Sequence, residues 1–225
     1  MNVKKSVFLL GLALFPALLF SQSGFVIGYN IGTYRAAHRN LQAYSQMYNL
    51  AAGPELIEPM SMTGFYRGIV LGWKIADDNF MAGIRWSTKK VVGHAGENAT
   101  GTEKLRIRMN TINMEFGLGG EFVKAGISID VGGLRVHKKT TNKQTGVETN
   151  WEKFYDGGGL IRSGALATGI TLFLDIHPSR YLEMRPYIQI PLATMEISDD
   201  RTRRDYAHPI GNIGFSLCFV LSTDD

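Results

Sequence analysis

The chain has 225 residues, a formal net charge of +4, 44% hydrophobic residues and a single cysteine. One cysteine excludes an internal disulfide, and nothing beyond residue 20 is apolar for long enough to make a transmembrane helix. Lys4 and Lys5 fall in a leader whose removal leaves a charge of +2, so the composition gives no support for a nucleic-acid partner.

The leader is Lys4-Lys5, the apolar run from Val7 to Phe20 and then Ser21-Gln22-Ser23. A short positive region, an apolar core of that length and small or polar residues behind it define a cleaved secretory signal peptide over residues 1–21. The remainder, residues 22–225, is long enough for one domain. An exported chain with 26 glycines, many aromatics and no helical span is either a soluble periplasmic or secreted protein, or a barrel in an outer membrane.

Strand periodicity separates the two. In the first strand, residues 25–34, Phe25, Ile27, Tyr29 and Ile31 share one face while Gly28, Asn30 and Gly32 share the other. Residues 64–89 form a hairpin around the polar turn Ala76-Asp77-Asp78-Asn79. Phe65, Ile69, Leu71, Trp73 and Ile75, then Phe80, Ala82, Ile84 and Trp86, form its apolar face, and Lys74, Arg85 and Lys89 stand among glycines on the other. A fourth strand over 105–118 changes parity, because Leu105, Ile107 and Met109 are odd whereas Ile112, Met114, Phe116 and Leu118 are even; a β-bulge near Asn110 is the expected remedy. Strands over 122–136, 163–175, 181–193 and 210–221 complete a set of eight, each with large apolar residues on one face. A barrel in lipid turns such a face outward and keeps the polar set inside. The expected fold is therefore all-β, an eight-stranded antiparallel transmembrane barrel.

The connections fit that orientation. Residues 76–79, 119–121 and 176–180 are short, while 35–62, 93–103, 138–162 and 194–208 are long, as for periplasmic turns and extracellular loops. Phe25, Trp73, Phe80, Phe122, Tyr181 and Phe219 suit the lower aromatic girdle, and Tyr34, Phe65 and Trp86 the upper one. Arg67 falls on the lipid face, near the outer end of its strand, where its stem can reach the headgroups.

The passage TGFYRGIVLGWKIADDNFMAGIRWSTKKVVG resembles the hairpin of small outer-membrane barrels grouped with PorT-like proteins, and more loosely the transmembrane domains of the OmpA and OmpX type. A Gly-rich amphipathic strand, a short turn and a strand ending in a small-polar, Lys, Gly stretch carry the likeness. It implies an integral outer-membrane protein, with fold and location but no catalytic residue or cofactor carried over, and with outer-membrane lipid, lipopolysaccharide and the barrel-assembly machinery as surroundings. FVIGYNIGTY departs from the usual glycine-dense first strand.

Inward positions supply Lys74, Arg85, Lys89 and Arg185 against Glu115, Asp130 and Glu183. Unpaired charge away from water is costly, so these form a network of ion pairs, Arg85 with Glu115 among them. Eight strands leave an interior that side chains fill. His38, His94, His137 and His208 lie in or beside the four long connections, one each, and read as solvated rather than as metal ligands. His177, Ser179 and Glu183 imitate a Ser-His-acid set, but they sit in a periplasmic turn where the proline is turn chemistry, so no enzyme is expected.

Residues 36–50 place Leu41, Tyr44 and Tyr48 at helical spacing, predicting a short amphipathic helix in the first loop. The later loops mix both charges, with Asp199-Asp200-Arg201 and Arg203-Arg204-Asp205 in the last, a pattern that suits water or lipopolysaccharide phosphates. Asn98-Ala99-Thr100 matches a glycosylation sequon by three residues only. Three functions stay open: an envelope-structural or surface-binding barrel with a possible protein partner at its loops, a narrow transport or secretion-associated barrel, and a soluble lipocalin-like carrier whose large residues line a cavity.

Overall fold

The computed structural model describes residues 22–36, 39–61, 63–153, 165–196, 206–207 and 210–222. The signal peptide expected over 1–21 lies outside them. Eight long strands run β1 (Gln22–Ala36), β2 (Thr63–Ala76), β3 (Phe80–Asn98), β4 (Gly101–Gly119), β5 (Val123–Asn142), β6 (Ala165–Ser179), β7 (Leu182–Glu196) and β8 (Ile210–Ser222). Each pairs antiparallel with its neighbour in sequence, and β1 pairs with β8 from Gly24↔Ser222 to Ala36↔Ile210. The sheet is therefore a closed eight-stranded barrel with no free edge. Helix α1 (Arg39–Ala52) lies between β1 and β2, where the sequence places one, and no described helix is long and apolar enough to cross a membrane.

Alternation decides which side chains leave the barrel. In its lower two thirds the outward residues are large and apolar: Ile27, Ile69, Trp73, Ile84, Met114, Ile129, Leu172, Ile188 and Phe219 are all exposed. On β7 this face runs from Leu182 to Leu192, which at about 3.4 Å per residue and the usual tilt makes a band about 25 Å tall, the height of a lipid core. The tight turn below β2 and β3 is held by Asp77, whose carboxylate accepts from the backbone N–H groups of Asn79 (2.8 Å) and Phe80 (2.6 Å).

The upper third reverses this arrangement. β4 pairs with β5 without a break from Gly101 to Gly119, and with β3 in one register from Arg106 to Leu118, so there is no bulge at Asn110; the register shift lies in β3, between Val92 and His94. Odd residues of β4 face inward along its whole length, apolar at Leu105, Ile107 and Met109 and polar at Thr111, Asn113 and Glu115. What changes at residue 110 is the environment, not the parity. Above it, Arg106 and Arg108 face outward and the barrel has an apolar inside, as a soluble barrel does. β5 makes the same exchange, with Leu134 and Val136 buried and Arg135 exposed.

Three further expectations change for this reason. The connection expected over 93–103 is strand almost throughout, closed by the turn Ala99-Thr100, where the Asn98 side-chain carbonyl accepts from the Thr100 and Gly101 backbone N–H groups at 3.0 and 2.8 Å. β5 likewise continues to Asn142, past the loop start expected at Lys138. Tyr34, assigned to the upper girdle, is buried inside the barrel, whereas Phe65 and Trp86 do face outward.

Candidate functional site

The barrel interior has two storeys, set by the inward residues of the same strands. In the lower one, three cations and three anions alternate around Glu183. Lys74 reaches Glu183 at 2.9 Å, and Arg85 makes 2.8 Å to Glu115 and 2.5 Å to Glu183. Arg185 bonds Glu115 at 2.5 Å and grips Asp175 with its Nε and with Nη2, the latter at 2.8 Å. All six are buried. Phe173 packs beneath Arg185 with the guanidinium 4.0 Å from the ring centre, in space that Gly126 leaves: a Cβ there would stand 2.3 Å from the ring.

Above this cluster, Asp130 and Lys89 carry two further buried charges without touching each other. Asp130 accepts from Asn113 and Thr171 (both 2.5 Å), Ser128 (2.6 Å) and Gln189 (2.6 Å). Lys89 donates to Gln189 (2.8 Å) and Asn212 (2.9 Å), with the Tyr187 ring 5.0 Å away. Gln189 thus joins the two ions, its amide oxygen taking from the lysine and its amide nitrogen giving to the carboxylate. Tyr66 and Tyr187 close the layer through a 2.5 Å hydroxyl contact. Only glycine leaves room for that pair, since a Cβ on Gly214 would lie 1.9 Å from the Tyr66 hydroxyl.

The upper storey is apolar: Tyr34, Met60, Val91, Leu105, Ile107, Met109, Leu134 and Val136 pack together over the tyrosines. Met60 is lowered into the mouth by α1, because the Asn49 side chain bonds both the backbone N–H (2.8 Å) and the carbonyl (3.2 Å) of Met60. Tyr44 of α1 donates to Glu103, which also holds Lys138 at 2.8 Å. Among the described residues, two small spaces in the interior measure about 40 and 10 Å³. A recess of about 730 Å³ opens at the upper wall beside Phe65, Ile188, Pro191 and Gly211, and the mutually bonded Gln189 and Asn212 are part of its lining.

Of the residues singled out from sequence, Lys74, Arg85, Glu115, Glu183 and Arg185 meet in one cluster, while Lys89 and Asp130 belong to the layer above. Asp175 was missed, although the outward leucines 172 and 174 place it inward by parity. His38 and His208 lie outside the described residues, and His137 stands on the outer wall opposite Arg106. Asp175, His177 and Glu183 place ligand-capable atoms within 4.8 Å of one another. Their carboxylates are already saturated by Arg185, Arg85 and Lys74, so a metal would have to displace buried guanidinium groups. Ser179 is exposed at the turn, and among the described residues no hydrogen bond links it to His177 or Glu183. The arrangement can fill and rigidify the barrel.

No family model and no curated protein matches the chain. Among solved structures it is similar to Ail, the attachment invasion locus protein of Yersinia pestis, at 10% identity and a TM-score of 0.44 over 89% of this chain and 99% of that one. It is also similar to Neisserial surface protein A, at 6% identity and a TM-score of 0.40, covering 87% of this chain and 96% of the other.

Proposed function

We propose that the chain is an integral outer-membrane barrel without enzymatic activity, which serves the cell envelope structurally or binds at the surface through the upper rim. The observation that carries this reading is the apolar band on the outside of all eight strands, wrapped around a buried ion network. Such a band in water would be a hydrophobic patch far larger than soluble monomers expose. Lipid is the environment that removes the cost, because a closed barrel satisfies every backbone polar group there. A leader of the kind read at residues 1–21 supplies the export that an outer-membrane location needs.

The soluble lipocalin-like carrier is not supported by this geometry, since the large residues face outward below and ion pairs fill the interior there. A narrow transport or secretion-associated barrel, the role suggested by the PorT-like resemblance, remains the second reading. The two filled storeys argue against an open pore, and assistance to secretion without conductance would suit them. Membrane fractionation followed by electrophoresis with and without boiling tests the main reading. The expected result is outer-membrane recovery and a mobility change on heating; recovery in the soluble periplasm would overturn it. Unaltered secretion in a deletion strain would remove the second reading.

A further inference from the structure

Arg67, Lys90, Arg108 and Arg135 are direct register partners on four adjacent strands: Arg67↔Lys90, Lys90↔Arg108 and Arg108↔Arg135. All four point away from the interior, in a strip that three strand spacings make about 15 Å long. Lys90 lies within electrostatic reach of Arg67, Arg106 and Arg108. Like charges set opposite one another across strands repel, so the strip is unfavourable as it stands.

Neighbouring cations are treated differently. Lys138, Lys139 and Lys143 are matched by Glu103, Glu148 and Glu97, at 2.8, 2.6 and 2.6 Å, and Arg106 stacks 3.7 Å over the Trp151 ring. Among the described residues, none of the four strip cations has a carboxylate partner. The strip also has a definite place. Two residues below it stand Thr88 and Asn110, and two further down the apolar band begins with Trp86, Ile112 and Val131. An anion that meets these cations while its own apolar part lies against that band is a lipid headgroup.

We propose that Arg67, Lys90, Arg108 and Arg135 form a docking strip for the phosphate groups of anionic lipid in the leaflet around the upper end of the barrel. Guanidinium groups suit phosphate because they donate two parallel hydrogen bonds to it, and three of the four residues are arginines. The inference rests on the lipid-facing reading of the barrel and adds a specific site and ligand class to it.

The test uses the folded chain in zwitterionic detergent micelles, with bisphosphorylated lipid A as the probe and lipid retained through gel filtration as the readout. Wild type should retain lipid A, and K90Q/R108Q should retain about 10-fold less or lower, as expected when two interfacial cations are lost. K104Q/K139Q, which removes the same charge from the wall above the strip, should behave as wild type. Equal retention by K90Q/R108Q, or an equal loss in K104Q/K139Q, would overturn the proposal. So would displacement of lipid A by millimolar inorganic phosphate, which would mark a free-anion site. R67Q/R135Q gives a second reading at the strip ends if the central pair fails to fold, and retention by wild type that ignores molar salt would contradict the proposal without any variant. A chain that stays soluble without detergent would instead fail the membrane reading itself.

Discussion

The lower and upper parts of this barrel are built from the same strands with opposite polarity. Below residue 110 of β4, Ile112, Met114 and Phe116 point out while Thr111, Asn113 and Glu115 point in; above it, Arg106 and Arg108 point out while Leu105, Ile107 and Met109 point in. The pleat continues unbroken, so the difference comes from the solvent each part is made for. A wall in lipid must be apolar outside and leaves polar groups to satisfy one another within, whereas a wall in water hides its apolar residues as any soluble core does. The barrel is thus two proteins in series, and the Tyr66–Tyr187 layer is the seam between them.

The comparison breaks most severely at Glu183. E183Q leaves Lys74, Arg85 and Arg185 around a neutral amide, and loss of one partner from a buried ion set costs about 3–5 kcal/mol. Urea unfolding from lipid vesicles should show that loss, and a midpoint equal to wild type would mean the cluster is hydrated. The next effect sharpens the contrast along one strand: M114R in the apolar band should cost about 2–4 kcal/mol, while N110R at the boundary should cost almost nothing. Equal costs would place both residues in one environment. G214A forces a Cβ against the tyrosine pair at the seam, an overpacking worth about 1–3 kcal/mol, which should appear as a lower transition temperature for the heat-induced mobility change.

The smallest effect lies outside both storeys, at the lower turn. Hydrogen bonds from the Asn79 and Phe80 backbone hold the Asp77 carboxyl below its ordinary pKa. The folded state therefore binds this proton less readily than the unfolded chain does. The stabilisation is present above the unfolded aspartate value, about 3.9, and fades as pH falls through the lower folded value. NMR titration should put the Asp77 midpoint below that of an unfolded peptide, and D77N should flatten this part of the acid profile.

Most of the fold was legible because the lower storey obeys one rule on every strand. The outward large residues identified all eight strands, and the inward set from Lys74 to Arg185 could be read as the complement of those positions. Asp175 is less legible because it is the last residue of the strand expected over 163–175, beside the polar turn at 176–180. What was not legible shares one cause. A single polarity rule, applied past residue 110, turned an environmental change into a bulge, shortened β3 and β5 into loops and put Tyr34 on the outside. Gln189 as the link between Lys89 and Asp130 depends on strands far apart in the chain, which periodicity does not relate. Arg67 looked like an isolated exception in sequence, and only the register with Lys90, Arg108 and Arg135 shows that it belongs to a row.

The most direct test of the two-environment account is a cysteine scan along the outward face of β4. In a C218S background, single cysteines at Arg106, Arg108, Asn110, Ile112, Met114 and Phe116 would be exposed to a membrane-impermeant thiol reagent in intact outer membranes. Labelling at 106 and 108 that falls away at 110 and is absent from 112 to 116 is the predicted result. Uniform labelling along the strand would contradict the account, because it would put the whole wall in water.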